Sequence, residues 1–226
     1  RKIGNIIVLF SMIRNCIARI IDNFWLKSYR YYDFFENPDG SFYAICGDAT
    51  GHGLTAGNIV SITKSVLVSA PLENPKDILL QLNKTLIKLK LGLNRMCVNM
   101  VKIKGNKVVF TSAGMPPAYH YIAKKEEMNE ILIPGLPLGS LPNMIVNTTE
   151  IKLNSGDVFV MMSDGFPEAP DPSGELLGYE TVEKCLLDNI NNDVTTMQDE
   201  LVRITDEWLA GGDLPDDCTM VILKKM

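Results

Sequence analysis

An α+β sandwich is the fold class this sequence predicts, and three observations carry it. From Tyr31 onward, short apolar runs are separated by Asp-Gly, Gly-Asn, Pro-Pro and Ser-Gly turn signals, the texture of a strand-rich chain. Helical stretches fall among those runs in segregated blocks rather than strict alternation, which argues against a doubly wound parallel sheet. At 226 residues, with 46% hydrophobic and 22% charged side chains, the chain can build one sizeable core and is too apolar for wholesale disorder. One globular domain follows, with no internal repeat.

Taken in order, the first element is a helix. Between residues 3 and 24, apolar side chains fall at Ile6, Phe10, Ile13, Ile17, Ile20 and Phe24, a spacing of 4, 3, 4, 3, 4 that matches the a/d seam of a coiled coil. The expectation is an N-terminal helix or linker over residues 1–27, ahead of the main domain over 28–226. That helix either joins two copies in a homodimer or packs on its own domain. Asp39-Gly40 turns a first hairpin. Gly105-Asn106 turns a second as a two-residue loop between the runs Met96 to Ile103 and Lys107 to Ser112. Helices are predicted from about Leu54 to Ser69, and after Asn74, which caps Pro75 at the first position and Asp77 in the first turn. The second of these carries Ile78, Leu79, Leu82, Leu86 and Leu89 on one face. A third helical region, from about Glu180 to Ala210, breaks near Asn189 to Asp193.

Composition excludes several function classes. With 22 Lys and Arg against 27 Asp and Glu, the net charge is −5, so there is no basic field for nucleic acid. Five cysteines at scattered spacings, with no C-x-x-C, fit neither a disulfide framework nor a zinc site and point to a reducing cytoplasm. Arg14 and Arg19 interrupt the apolar start, so no bilayer-spanning run is present. A first residue of Arg rather than Met suggests a piece of something longer, such as the cytoplasmic part of a larger sensor.

Chemistry is concentrated where apolar runs end in acids. Tyr43-Ala44-Ile45-Cys46 leads into Gly47-Asp48, Val158 to Met162 leads into Ser163-Asp164-Gly165, and Asp216-Asp217 precedes Cys218 to Leu223. If those ends meet, the carboxylates need a cation between them, and oxygen-only ligation selects hard ions such as Mg²⁺ or Mn²⁺. An ordinary Asp-Gly turn is the competing reading for Asp164. The glycine-rich segment Gly47 to Gly53 brings backbone close to a ligand just before a helix.

Gly47-Asp48-Ala49-Thr50-Gly51-His52-Gly53 resembles the G-D-[VA]-[ST]-G-H-G signature of the PPM-type metal-dependent serine/threonine phosphatases, in their sporulation stage II E and RsbU-like bacterial branch. Ser112-Ala113-Gly114-Met115-Pro116-Pro117, Gly135-Leu136-Pro137-Leu138-Gly139, Ser163 to Ala169 and Asp216-Asp217-Cys218-Thr219 are similar to four further motifs of that family, in the same order. The resemblance spans roughly residues 31–225. It implies a pair of antiparallel sheets flanked by helices and two Mn²⁺ or Mg²⁺ ions. Asp48 would bridge them, with the Ala49 carbonyl, Asp164 and Asp216 as further ligands, and Asp217 as the alternative to Asp216. It also implies hydrolysis of phosphoserine or phosphothreonine on a regulatory protein, a STAS-domain anti-anti-sigma factor, by a metal-activated water. His52 is either the general acid or an orienting group for the glycine turn. His120, between Tyr119 and Tyr121 on an expected strand, reads as an ordinary packed or partly exposed residue.

One position departs from the family. Where its Gly-Gly-Asp supplies another metal ligand, this chain has Tyr29-Arg30, without the upstream strand that the family places there. Arg30 brings a fixed cation that opposes metal binding. Asp33, three positions on in a period of two, faces the other way. The readings that compete are therefore an active phosphatase, a degenerate domain that binds its partner without turnover, and an unrelated two-metal hydrolase. The acidic segment Pro167 to Gly178 is expected to be a mobile loop near the site.

Overall fold

The computed structural model describes residues 11–13, 16–22, 29–51, 53–69, 74–215 and 218–226. The α+β class holds. Two antiparallel sheets and four helices are present among these residues, and the chain divides into two compact units.

In order, the elements are β1 (Ser11–Ile13), β2 (Cys16–Asp22), β3 (Tyr29–Glu36), β4 (Phe42–Ala49), α1 (Leu54–Ser69), α2 (Pro75–Leu89), β5 (Met96–Lys104), β6 (Lys107–Ala113) and β7 (Ala118–Ile122). There follow β8 (Glu127–Ile131), β9 (Thr148–Lys152), β10 (Val158–Met162), α3 (Tyr179–Asp188), α4 (Val194–Leu209) and β11 (Thr219–Lys225).

One unit comprises residues 27–117 and 132–153. Its sheet runs β3-β4-β5-β6-β9, and alternation along the strands decides which face meets the helices. Tyr31, Tyr43, Ile45, Val98 and Met100 pack with Ala56, Ile59 and Leu67 of α1 and with Ile78, Leu79, Leu82 and Leu86 of α2. The caps follow the sequence: the Asn74 side chain accepts the Lys76 N–H, and Pro75 opens α2. Both hairpins form where the turn residues lie, and Lys104 pairs with Lys107 across the two-residue Gly105-Asn106 loop.

The other unit comprises residues 1–26, 118–131 and 154–226. Its sheet runs β1-β2-β11-β10-β7-β8. Tyr119, Val158, Val160, Met162, Met220 and Ile222 pack against Val182 and Leu186 of α3 and Met197 and Leu201 of α4. Asp193 caps α4, accepting N–H bonds from Thr195 and Thr196.

The N-terminal helix is corrected. Residues 11–13 and 16–22 are strands, and β2 pairs antiparallel with β11 along its whole length, from Cys16 opposite Lys225 to Asp22 opposite Thr219. Ile17, Ile20 and Ile21 are β-branched and favour a pleated ribbon. Once β11 offers an unpaired edge, sheet pairing outweighs a seam of under three heptads. A strand upstream of Tyr29 is thus present, contrary to the sequence expectation, and the helical basis for a dimer falls away over these residues. The remaining positions of the expected helix lie outside the described residues.

Candidate active site

The first acid-bearing strand end belongs to β4. Its residues from Phe42 to Gly47 are buried on both faces, and Asp48 is half-buried. Gly47 is required by close approach: a Cβ there would lie 2.6 Å from Met96 Cε and 3.0 Å from the Cys97 carbonyl oxygen. The ladder sets Asp48 opposite Cys97 on one side and opposite Arg30 on the other.

Beyond Ala49 the ladder continues through a side chain. Thr50 N–H donates to the Arg95 carbonyl at 3.0 Å, and Arg95 N–H donates to Thr50 Oγ1 at 2.7 Å. Gly51, at φ +90°, leaves room for Asn94, whose Oδ1 would lie 2.7 Å from a Cβ there. The Gly53 carbonyl then accepts the Gly57 N–H as α1 begins. This is the region the Gly47–Gly53 motif predicts, with His52 itself outside the described residues.

Two other motifs of the same unit pack together. At Gly114, φ +71°, a Cβ would meet three Pro137 atoms at 2.7–2.9 Å. Leu138 exchanges both backbone hydrogen bonds with Met96, at 2.8 and 3.1 Å, and Met96 is the ladder partner of Ala49. Asn83 holds this loop from α2: its Oδ1 accepts the Gly139 N–H at 2.7 Å and its Nδ2 donates to the Leu141 carbonyl at 2.9 Å. Sequence reasoning missed Asn83. The available signal was a polar residue beside Leu79, Leu82 and Leu86 on the buried face of α2.

Asp33 is engaged elsewhere, as strand parity requires. It forms an ion pair with Lys64 of α1 and accepts the Tyr31 hydroxyl at 2.7 Å. Burial first, then Asp33, pushes the Tyr31 phenol above its ordinary pKa. Lys64 also sits 4.5 Å above the Phe35 ring.

In the other unit, Asp164 follows β10 and is half-buried. Its carbonyl accepts the Glu168 N–H at 2.8 Å. Ser163 ties β10 to the start of β11: its N–H donates to the Thr219 carbonyl at 2.9 Å and its Oγ accepts the Thr219 N–H at 3.0 Å. The negative field here raises the Tyr179 phenol pKa, after burial, through Glu168, Asp164 and Glu130. Asp216 and Asp217 lie outside the described residues. The segment after Asp164 is a closed turn rather than a loose loop. The Asp171 Oδ1 accepts the Ser173 and Glu175 N–H groups at 2.8 and 2.9 Å, Leu177 N–H returns to the Ala169 carbonyl at 2.9 Å, and Trp208 Nε1 donates to the Glu175 carbonyl at 3.1 Å. His120 on β7 is buried, with Nε2 3.8 Å from Asp157 Oδ2, too long for a hydrogen bond.

The donors at the end of β4, a carboxylate and a backbone carbonyl, are oxygens only and fit a hard divalent ion rather than a thiol- or imidazole-seeking metal. Among the described residues no group of three or more His, Cys, Asp or Glu is gathered into a metal cluster. No helix among them is long and apolar enough to cross a membrane.

Comparison with known proteins supplies the lineage. Phosphoserine phosphatase RsbU of Bacillus subtilis is 24% identical over 203 residues, covering 86% of this chain. The chain spans 58% of that relative's length. Among solved structures, the SiaA PP2C domain of Pseudomonas aeruginosa superposes with a TM-score of 0.80 at 17% identity, covering 92% of this chain and 86% of that one. RsbX in complex with magnesium gives 0.70 at 14%, covering 97% and 100%. The phosphatase domain of SpoIIE from Bacillus subtilis gives 0.65 at 15%, covering 96% and 82%. These likenesses establish a PP2C-type fold. The family model for stage II sporulation protein E matches residues 38–225, from the first hairpin to the last strand, and the chain belongs to that family.

Proposed function

We propose that this chain is a Mn²⁺- or Mg²⁺-dependent protein phosphatase that removes phosphate from serine or threonine of a regulatory protein, a STAS-domain anti-anti-sigma factor being the expected substrate class. The observation that carries the reading is the end of β4, where the Asp48 carboxylate and the Ala49 carbonyl stand beside a pinned glycine turn within the family match. The name of the RsbU relative, a phosphoserine phosphatase, and the magnesium in the RsbX complex support the same chemistry.

Asp48 and Ala49 would hold the ions, with Asp164 and either Asp216 or Asp217 as further ligands. Such ions supply an acidified water as nucleophile and offset charge on the phosphoryl oxygens. The protein's own part is positional: Thr50 and Asn83 fix the backbone on which Asp48 and Ala49 sit. His52 either gives a proton to the departing serine oxygen or orients the turn. Arg30, opposite Asp48 in the ladder, is the feature that favours a second reading, partner binding without turnover.

The test is Mn²⁺-dependent phosphate release from a phosphoserine STAS protein by this chain, Asp48→Asn and Arg30→Asp. Release by the unaltered chain, falling at least about a hundred-fold in Asp48→Asn, is the expected result. Equal release by Asp48→Asn overturns the metal assignment, and release only by Arg30→Asp makes partner binding the function.

A further inference from the structure

We propose that Arg95 binds the phosphoryl group of the substrate, a reading that rests on the phosphatase assignment above. Arg95 lies across from Thr50, two residues beyond Asp48 along the β4–β5 ladder. A rise of about 3.3 Å per residue and a strand spacing of about 4.8 Å set its Cα about 8 Å from that of Asp48, within the reach of an arginine stem. The Thr50–Arg95 bonds extend the pairing one step past Ala49 and Met96, so Arg95 stands two positions from Cys97, the ladder partner of Asp48.

The guanidinium is oriented but not neutralised. Nη1 donates to the Gly92 carbonyl and to the Asn94 carbonyl, each at 2.8 Å, which uses both hydrogens of that nitrogen. Nε and Nη2 bond to nothing among the described residues, and no carboxylate among them pairs with Arg95. The contrast is Arg203 on α4, whose Nε, Nη1 and Nη2 are all taken by Glu200 and Glu207. The free edge of Arg95, Nε with Nη2, is the one whose two parallel N–H groups match a pair of phosphate oxygens.

The loop held by Asn83 passes beside the arginine stem: Gly139, at φ +89°, would carry a Cβ in ordinary contact with Arg95 Cδ, 3.5 Å away. Arg95 itself is half-buried, which strengthens its attraction for an anion relative to a fully hydrated cation. In a chain of net charge −5, a local cation of this kind favours a dianionic phosphate monoester over the surrounding acidic surface.

The experiment uses the full chain with Mn²⁺ and compares Arg95→Gln, Arg95→Lys and Arg203→Gln on p-nitrophenyl phosphate and on a phosphoserine protein. Arg203→Gln removes the same charge from a guanidinium already taken by Glu200 and Glu207. The expected result is a KM raised about ten-fold or more on both substrates in Arg95→Gln, partial recovery in Arg95→Lys, and an unchanged KM in Arg203→Gln. A KM unaltered in Arg95→Gln overturns the proposal, as does a rise shared equally by Arg203→Gln. A rise confined to the protein substrate also overturns it, since it would mark a contact with a partner's carboxylate. A second readout needs no turnover: inorganic phosphate should protect Arg95 from phenylglyoxal, read by peptide mass. Absence of all Mn²⁺-dependent release sinks the phosphatase assignment, whereas absence of protection sinks the role of Arg95 alone.

Discussion

Two strand ends in this molecule each carry an aspartate, and they are secured differently. Asp48 lies at the end of a strand whose continuation is held by contacts from several segments: Thr50 with Arg95, the Leu138 backbone with that of Met96, and Asn83 behind the loop. Asp164 ends a strand tied to its neighbour by the Ser163–Thr219 pair and followed by a turn closed largely on itself through Asp171. The first arrangement draws on four separate segments of the chain, the β4 end, α2, the start of β5 and the loop at Leu138. The second draws on two neighbouring strands and one turn, so fewer elements feel damage to it.

That contrast can be broken from its largest effect downward. Asp164→Asn should lower Mn²⁺-dependent turnover about a hundred-fold or more with little change in melting temperature; turnover within three-fold of the parent would return Asp164 to the status of an ordinary turn aspartate. Asn83→Ala should cost about 2–4 kcal/mol in urea unfolding, because it strands the Gly139 N–H and the Leu141 carbonyl next to a buried side chain. It should also lower turnover at the distant β4 end; a stability loss with turnover intact would show that the loop and the strand end are uncoupled. Thr50→Val, which keeps shape and removes the acceptor of the Arg95 N–H, should cost about 1 kcal/mol, with Thr50→Ser close to the parent.

The smallest effect concerns pH. Burial lowers the His120 pKa below its ordinary value, with Asp157 opposing the shift only in part. The unfolded chain therefore binds the proton more readily than the folded one, so stability should fall as pH drops through and below the usual histidine range. Denaturant midpoints measured across pH 5 to 7 should slope less in His120→Asn; an equal slope would assign the acid sensitivity to other groups.

Much of this was legible in the sequence because the signals were local. Asn74 before Pro75, the turns at Asp39-Gly40 and Gly105-Asn106, and the break between α3 and α4 each depend on a few neighbouring residues, and each stands where the chain indicates. The strand-end motifs were legible for the same reason. What was misread depended on partners far along the chain. Ile17, Ile20 and Ile21 satisfy a helical seam as well as a strand, and only the edge offered by β11, about two hundred positions later, decides between them. Asn83 and Arg95 were invisible as site residues, since a helix residue and a turn residue acquire their roles from Gly139 and Thr50 respectively.

The small turn at residues 37–41 has a reach well beyond its size. Asn37 N–H bonds to the Ser41 carbonyl at 2.8 Å, Gly40 N–H to the Asn37 carbonyl at 2.9 Å, and Asp39 Oδ1 receives both the Ser41 N–H and its hydroxyl, at 2.9 and 2.6 Å. These bonds fix how many residues lie between β3 and β4, and thereby which residue stands across from Asp48 at the far end of the hairpin. The turn acts as the zero mark of a ruler. One residue added or removed there would bring Tyr31 or Tyr29 opposite Asp48 in place of Arg30 and send Tyr31 away from the helices it packs against. Which residue pairs with Asp48 in the ladder is thus determined by a turn at the opposite end of the hairpin.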